Sequence, residues 1–190
     1  MIVNEKALVR QMKESYKNQG YTVAVRDDHM MITNGFWLAD MDMDNVPSEV
    51  LSLMALHLRT IPDEDRAYKV IKGDDGPFVQ SKLTSEALGP LEQLDREWSE
   101  AQKNGTYCRM KKTALRMDGC SLWQGIGENE MFLIDPRYEV LIEGNAEVLR
   151  VGNGLYVEGN ASRLWVLRVA ADGADLAAVR HLEAWRWVTA

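Results

Sequence analysis

The sequence predicts an α+β protein: an N-terminal α-β-β-α-β unit, a helical bridge and a C-terminal antiparallel β-meander. Three observations carry this. Apolar residues recur at helical spacing in the early and middle parts of the chain. Short alternating runs such as YTVAVR stand between those segments and read as strands. After Gly105 the character changes, and short β-prone runs alternate with Gly/Asn turns. These shifts divide the chain into an α/β part over residues 1–76, a helical bridge over 77–105 and a β-rich part over 106–190.

The elements follow in order. Asn4 caps a first helix, with Lys6 to Asn18 as its body and Gly20 as its stop. Ala7, Leu8, Met12 and Tyr16 fall on one face of it. Tyr21 to Arg26 alternates as a strand, Asp27-Asp28-His29 turns, and His29 to Ala39 returns as one strand bulged around Asn34-Gly35. Pro47 sits just inside a second helix that runs to about Arg59, with Val50, Leu53, Met54 and Leu58 as its buried stripe. Pro62 and Asp63-Glu64-Asp65 end it. Ala67 to Ile71 is a third strand, closed by the turn signal GDDGP. Gln80 to Lys103 is helical, with a break at Gly89-Pro90. Beyond it, IEGNAEVLRV from Ile142 is echoed by VEGNASRLWV from Val157, which reads as a duplicated hairpin. Asp172 to Leu182 reads as a short helix and Glu183 to Thr189 as a closing strand.

The charge is unevenly spread. Residues 1–100 carry 18 acidic and 11 basic side chains, a net of −7, whereas residues 101–190 carry 11 of each. Between Asp27 and Asp75 stand 11 acidic side chains against Arg59, Arg66, Lys69 and Lys72. Such a segment repels nucleic-acid phosphates and attracts a basic surface. The opening residues MIVNEKALVRQMKES lack the apolar stretch of a signal peptide, and no run approaches the ~18 apolar residues of a membrane span. The expected location is the cytoplasm, where Cys108 and Cys120 are ordinary thiols.

The stretch GFWLADMDMDNVPSEV places Asp40, Asp42 and Asp44 at every second position. A calcium loop counted from Asp40 would need a glutamate at its twelfth position, which is Leu51. A Mg²⁺-dependent nuclease needs only one or two carboxylates plus substrate phosphates, but no lysine stands near and the surroundings are acidic. As a strand, Trp37, Ala39, Met41 and Met43 point one way and Leu38, Asp40, Asp42 and Asp44 the other. That acidic face is either a protected sheet edge or a strip that meets Arg and Lys on a protein partner. The expected contact set is Asp27, Asp28, Asp40, Asp42, Asp44, Asp63, Glu64 and Asp65. No catalytic residue, metal or cofactor is expected. Walker, G-x-S-x-G and H-E-x-x-H patterns are absent, and His29, His57 and His181 are far apart in sequence. Arg109, Lys111, Lys112 and Arg116 form the one basic cluster, which gives a DNA-binding accessory protein as a further reading.

Three segments, LVRQMKESYKNQGYTVAV, GFWLAD and VPSEVLSLMALHLRTIPDEDRAYKV, resemble small proteins carried by phages and mobile elements of gut Firmicutes. The resemblance covers roughly residues 5–75 and carries over no functional residue. Accessory proteins of that setting include anti-CRISPR inhibitors, which bind an effector nuclease and block its engagement of DNA. The resemblance therefore implies an inhibitor of a nucleic-acid-processing enzyme. The particular target it implies is a type II CRISPR nuclease, whose basic DNA channel suits an acidic strip.

Overall fold

The computed structural model describes residues 2–81, 85–126 and 130–169. Among them are four helices and eleven strands, and the strands form one antiparallel sheet. In chain order these are α1 (Glu5–Lys17), β1 (Tyr21–Arg26), β2 (His29–Thr33), β3 (Trp37–Asp42), α2 (Ser48–Leu58), β4 (Arg66–Gly73), β5 (Gly76–Ser81) and α3 (Ser85–Asn104). There follow β6 (Cys108–Met117), β7 (Cys120–Gly125), β8 (Met131–Ile134), the one-turn α4 (Pro136–Glu139), β9 (Leu149–Val151), β10 (Gly154–Gly159) and β11 (Ser162–Leu167). The order across the sheet is β5-β4-β1-β2-β3-β11-β10-β9-β6-β7-β8. Strands of the first half thus lie side by side, those of the second half continue the sheet, and β3 and β11 join them.

The strand periodicity assigns each face. Tyr21, Val23 and Val25, Met30 and Ile32, Trp37, Ala39 and Met41, and Leu164 and Val166 point toward α1 and α2. There they meet Leu8 and Met12 of α1 and Val50, Leu53 and Met54 of α2. This core continues into the second half through Met110, Trp123, Phe132 and Leu155. The opposite face presents Ala24, Met31, Leu38, Tyr156 and Trp165 to α3, whose Leu88, Leu91, Leu94 and Trp98 cover them. Asn4 caps α1 as expected, its Oδ1 accepting from the amide of Ala7 at 3.0 Å. Gly20 stops the helix at φ +80°, where an added Cβ would stand 2.7 Å from the Val70 carbonyl oxygen.

The order of N-terminal elements is α-β-β-β-α-β-β, which corrects the expected α-β-β-α-β. The run His29 to Ala39 divides into β2 and β3, because Asn34 builds a turn in place of a bulge. Asn34 Oδ1 accepts from Phe36 N, and Thr33 Oγ1 accepts from Gly35 N while donating to the Trp37 carbonyl at 2.6 Å. The GDDGP signal closes a hairpin, so β5 occupies residues expected at the start of the bridge helix. The bridge helix α3 runs through Pro90 without the expected break. Pro90 lies about one and a half turns from its start, and the packing of Leu91 and Leu94 on the sheet outweighs the lost backbone bond. Of the two EGNA copies, only the second forms a hairpin turn, between β10 and β11. The first is drawn elsewhere: Glu143 N bonds to the Ile2 carbonyl, and Ile142 bridges to Val3. The helix and strand expected over 172–189 lie outside the described residues.

His57 closes the seam between α1, α2 and β1. It is 6% exposed, its ring stacks on Tyr16 at 3.9 Å, and its Nδ1 is 3.0 Å from the Tyr21 hydroxyl. Burial, and after it the charge of Tyr16, pushes the Tyr21 hydroxyl upward, so it keeps its proton and donates. Burial, and after it the charge of Lys13, holds the imidazole below its ordinary 6.5. The folded chain therefore binds fewer protons there than the unfolded chain does. This contribution to stability is whole above pH 6.5 and declines as the pH falls through that value. Urea unfolding at pH 7.5 and pH 5.5 checks it: a His57→Gln variant is expected to lose less stability between the two than the parent. An equal loss in both would reject the assignment.

Candidate functional site

The three alternating aspartates part company in the structure. Asp40, in the middle of β3, faces α3 and is 1% exposed. It pairs in register with Arg163 of β11, whose Nε and Nη2 donate to its Oδ2 at 2.8 and 2.6 Å. The third arm of the same guanidinium, Nη1, donates to Asp95 Oδ1 on α3 at 2.6 Å. Burial alone would make Arg163 less basic, but Asp40 and Asp95 outweigh it and raise its pKa. Asp40 is therefore neutralised by an arginine of the later half and is withdrawn from the exposed contact set. The cause is geometric: alternation turns Asp40 to the α3 face, and the helix covers it.

Asp42 ends the strand at 38% exposure, and Asp44 lies beyond it in the 3-10 turn Met43–Asn45. His29 stands between the two faces of this junction, with Nδ1 3.4 Å from Asp40 Oδ1 and Nε2 3.3 Å from Asp42 Oδ1. Asp27 and Asp28 form the two-residue turn between β1 and β2 with φ of 52° and 59°. Both central positions of such a turn need positive φ, which aspartate tolerates better than most residues. The Met43 amide bonds to the Asp28 carbonyl at 2.8 Å, which fixes the 3-10 turn against the hairpin. Arg66 pairs in register with Val25, so the preceding Asp63-Glu64-Asp65 leads into the same end of the sheet. The Tyr68 hydroxyl donates to Asp63 at 3.1 Å. Seven of the eight expected contact residues thus share one end of the sheet. Six are exposed and Asp42 is half-buried. Against them stand Arg26, paired with Asp27 at 3.3 Å, and the exposed Arg66.

Among the described residues, no group of three or more His, Cys, Asp or Glu has the arrangement to hold a metal ion. The basic cluster is partly spent. Arg109 pairs with Glu147, and Lys112 Nζ stands 2.9 Å from Glu139 Oε1. The sequence reading missed the Asp40–Arg163–Asp95 bridge. Its available signal was Arg163, which stands at the head of the apolar stretch Leu164 to Leu167 after the second EGNA copy.

No protein-family model matches the chain, and no curated protein matches it in sequence. Its fold is that of an α+β protein built on one large antiparallel sheet. Two solved structures are similar to it. One is described as a putative DNA polymerase III beta subunit from Eubacterium rectale, with 11% identity and a TM-score of 0.34 over 87% of this chain and 62% of that one. The other is a DNA polymerase III beta chain from Streptococcus pneumoniae, with 9% identity and a TM-score of 0.35 over 94% of this chain and 67% of that one. The chain spans less than two thirds of the first of these, and a likeness of this size says nothing of function. No helix among the described residues is long and apolar enough to cross a membrane.

Proposed function

We propose that the chain acts by binding, and that the acidic end of its sheet is the contact surface. The observation that supports this reading is the gathering of Asp27, Asp28, Asp42, Asp44, Asp63, Glu64 and Asp65 at one end, with Arg26 and Arg66 as the nearby counter-charges. A surface of that sign speeds encounter with a basic protein groove and repels free nucleic acid. In its specific form, the reading is a phage or mobile-element inhibitor of a nucleic-acid-processing enzyme in the cytoplasm. The target is a type II CRISPR effector nuclease, whose DNA channel carries the complementary charge. Inhibition is then steric and electrostatic occlusion without turnover. The nuclease alternative loses one carboxylate, because Asp40 is bound by Arg163.

The test uses a guide-loaded type II effector and its target duplex. The chain is expected to reduce DNA binding by the effector, and more strongly at low salt. A variant with Asn or Gln at the seven acidic positions is expected to bind roughly tenfold to a hundredfold more weakly, with a flatter salt dependence. Asn at positions 27 and 28 preserves the turn, because it tolerates positive φ. Equal affinity of parent and variant at both salt concentrations would refute the role of this surface. Plasmid cleavage in Mg²⁺ would favour the enzyme instead.

A further inference from the structure

The outward face of α1 carries a line of four cations, Lys6, Arg10, Lys13 and Lys17. Their spacing of 4, 3 and 4 residues keeps them within about 60° of one another around the helix and spreads them over ~16 Å along it. All four are exposed, and among the described residues none has an ion pair. Helical spacing disperses them along the chain, so no contiguous basic run marks them in the sequence.

Local stability does not account for this line. Residues three or four apart on a helix are neighbours, so the four cations make three like-charge contacts in a row, each of them unfavourable. Lys6 also lies in the first turn, where the helix dipole disfavours a positive charge. Glu5 and Glu14 are the acidic residues of α1. Glu5 lies about 100° around the helix from Lys6. Glu14 stands at the edge of the line, its Oε2 accepting from Gln11 at 3.4 Å. Four cations against two carboxylates leave α1 at +2 in a chain of net charge −7.

A row of cations matches a row of anions. Duplex DNA carries one phosphate charge per ~1.7 Å of its axis, so a helix laid on it meets several at once. A membrane surface is a poorer match, because Ala7, Leu8, Val9 and Met12 are all buried and α1 keeps no aliphatic side chain outward to insert. Lys17 precedes the start of β1, and Asp27 and Asp28 follow its end, so the length of that strand separates this end of the line from the acidic turn.

We propose that α1 docks on the phosphate backbone of duplex DNA, independently of base sequence. Contacts of this kind position a protein on the duplex without reading bases. The proposal does not rest on the acidic end of the sheet.

The test is the anisotropy of a labelled duplex titrated with the full chain. Four contacts predict that log K falls against log salt with a slope of about −3 to −4, a loss of roughly a hundredfold between about 50 and 200 mM salt. Two duplexes of unrelated sequence are expected to bind equally. Combining Lys6→Gln, Arg10→Gln, Lys13→Gln and Lys17→Gln is expected to weaken binding at least tenfold at low salt and to flatten the slope, with the thermal midpoint unchanged or raised. Each single change is expected to lower the slope by about one. The charge-matched control combines Lys69→Gln, Lys72→Gln, Lys103→Gln and Lys111→Gln, all at exposed positions off α1, and is expected to keep the slope. Neutralising the seven acidic positions is expected to leave duplex binding as tight as in the parent or tighter, which separates this surface from the acidic one. No binding at low salt, an equal loss in the α1 variant and its control, or tighter binding of phosphatidylserine vesicles or polyglutamate than of the duplex would each overturn the proposal.

Discussion

An Arg163→Met variant is expected to lose about 3–5 kcal/mol of stability, the range for removing one partner of a buried ion pair. Asp40 is 1% exposed, and both donors to its Oδ2 belong to that guanidinium. Methionine replaces the aliphatic stem but leaves a carboxylate in an apolar layer between the sheet and α3. It also releases Asp95, so the helix loses a polar tie to the sheet along with the charge balance. For a chain of this size the loss corresponds to roughly 10 °C in the midpoint of thermal unfolding. The partner change, Asp40→Asn, leaves the arginine with Asp95 as its one carboxylate. Combining Asp40→Asn with Arg163→Met is expected to cost less than the two single changes added together, because neither charge is then left alone. Urea denaturation of the four proteins measures this. A single-variant loss below about 1 kcal/mol would mean that the pair behaves as an exposed one.

A Gly154→Ala variant is expected to lose about 2–3 kcal/mol through overpacking. An added Cβ would lie 2.5 Å from Nε1 of Trp165 and 2.7 Å from the Val166 carbonyl oxygen. The side chain can swing away, but the backbone oxygen belongs to the neighbouring strand and cannot move without opening the ladder between β10 and β11. The indole also donates to the Val151 carbonyl at 3.2 Å, across the turn that joins β9 to β10. Its displacement would therefore loosen β9 as well as β11. Denaturation midpoints and the indole N–H resonance of Trp165 report the two effects separately. An unchanged midpoint would show that the strands separate more easily than their packing indicates.

The parts of the fold legible in the sequence were those governed by local rules. Asn4 capping α1, the alternation of β1, and the apolar stripe of α2 all follow from neighbours within a few residues. The alternation of Trp37, Ala39 and Met41 against Leu38 and Asp40 was legible as well. The errors arose where two local signals competed or a distant segment intervened. Asn34-Gly35 suited a bulge and a turn equally, and side-chain bonds from Thr33 and Asn34 selected the turn. Pro90 reads as a break until Leu91 and Leu94 are seen to be held by the sheet. The site divided in the same way. The turn residues Asp27 and Asp28 were placed by their own dihedral preference. The fate of Asp40 depended on Arg163, which lies 123 residues away, and no spacing rule connects them.

The seam between β3 and β11 has a consequence for synthesis. Until residue 163 has left the ribosome, β3 is an open edge, with a carboxyl side chain in the middle of its apolar run. An inward-facing charge on such an edge discourages pairing with a stray strand, whether from a neighbouring nascent chain or from the wrong part of the same one. The complementary strand is the one that arrives with a guanidinium opposite that charge. Asp40 thus acts as a guard on the growing polypeptide, relieved when β11 docks and the two halves of the sheet become continuous.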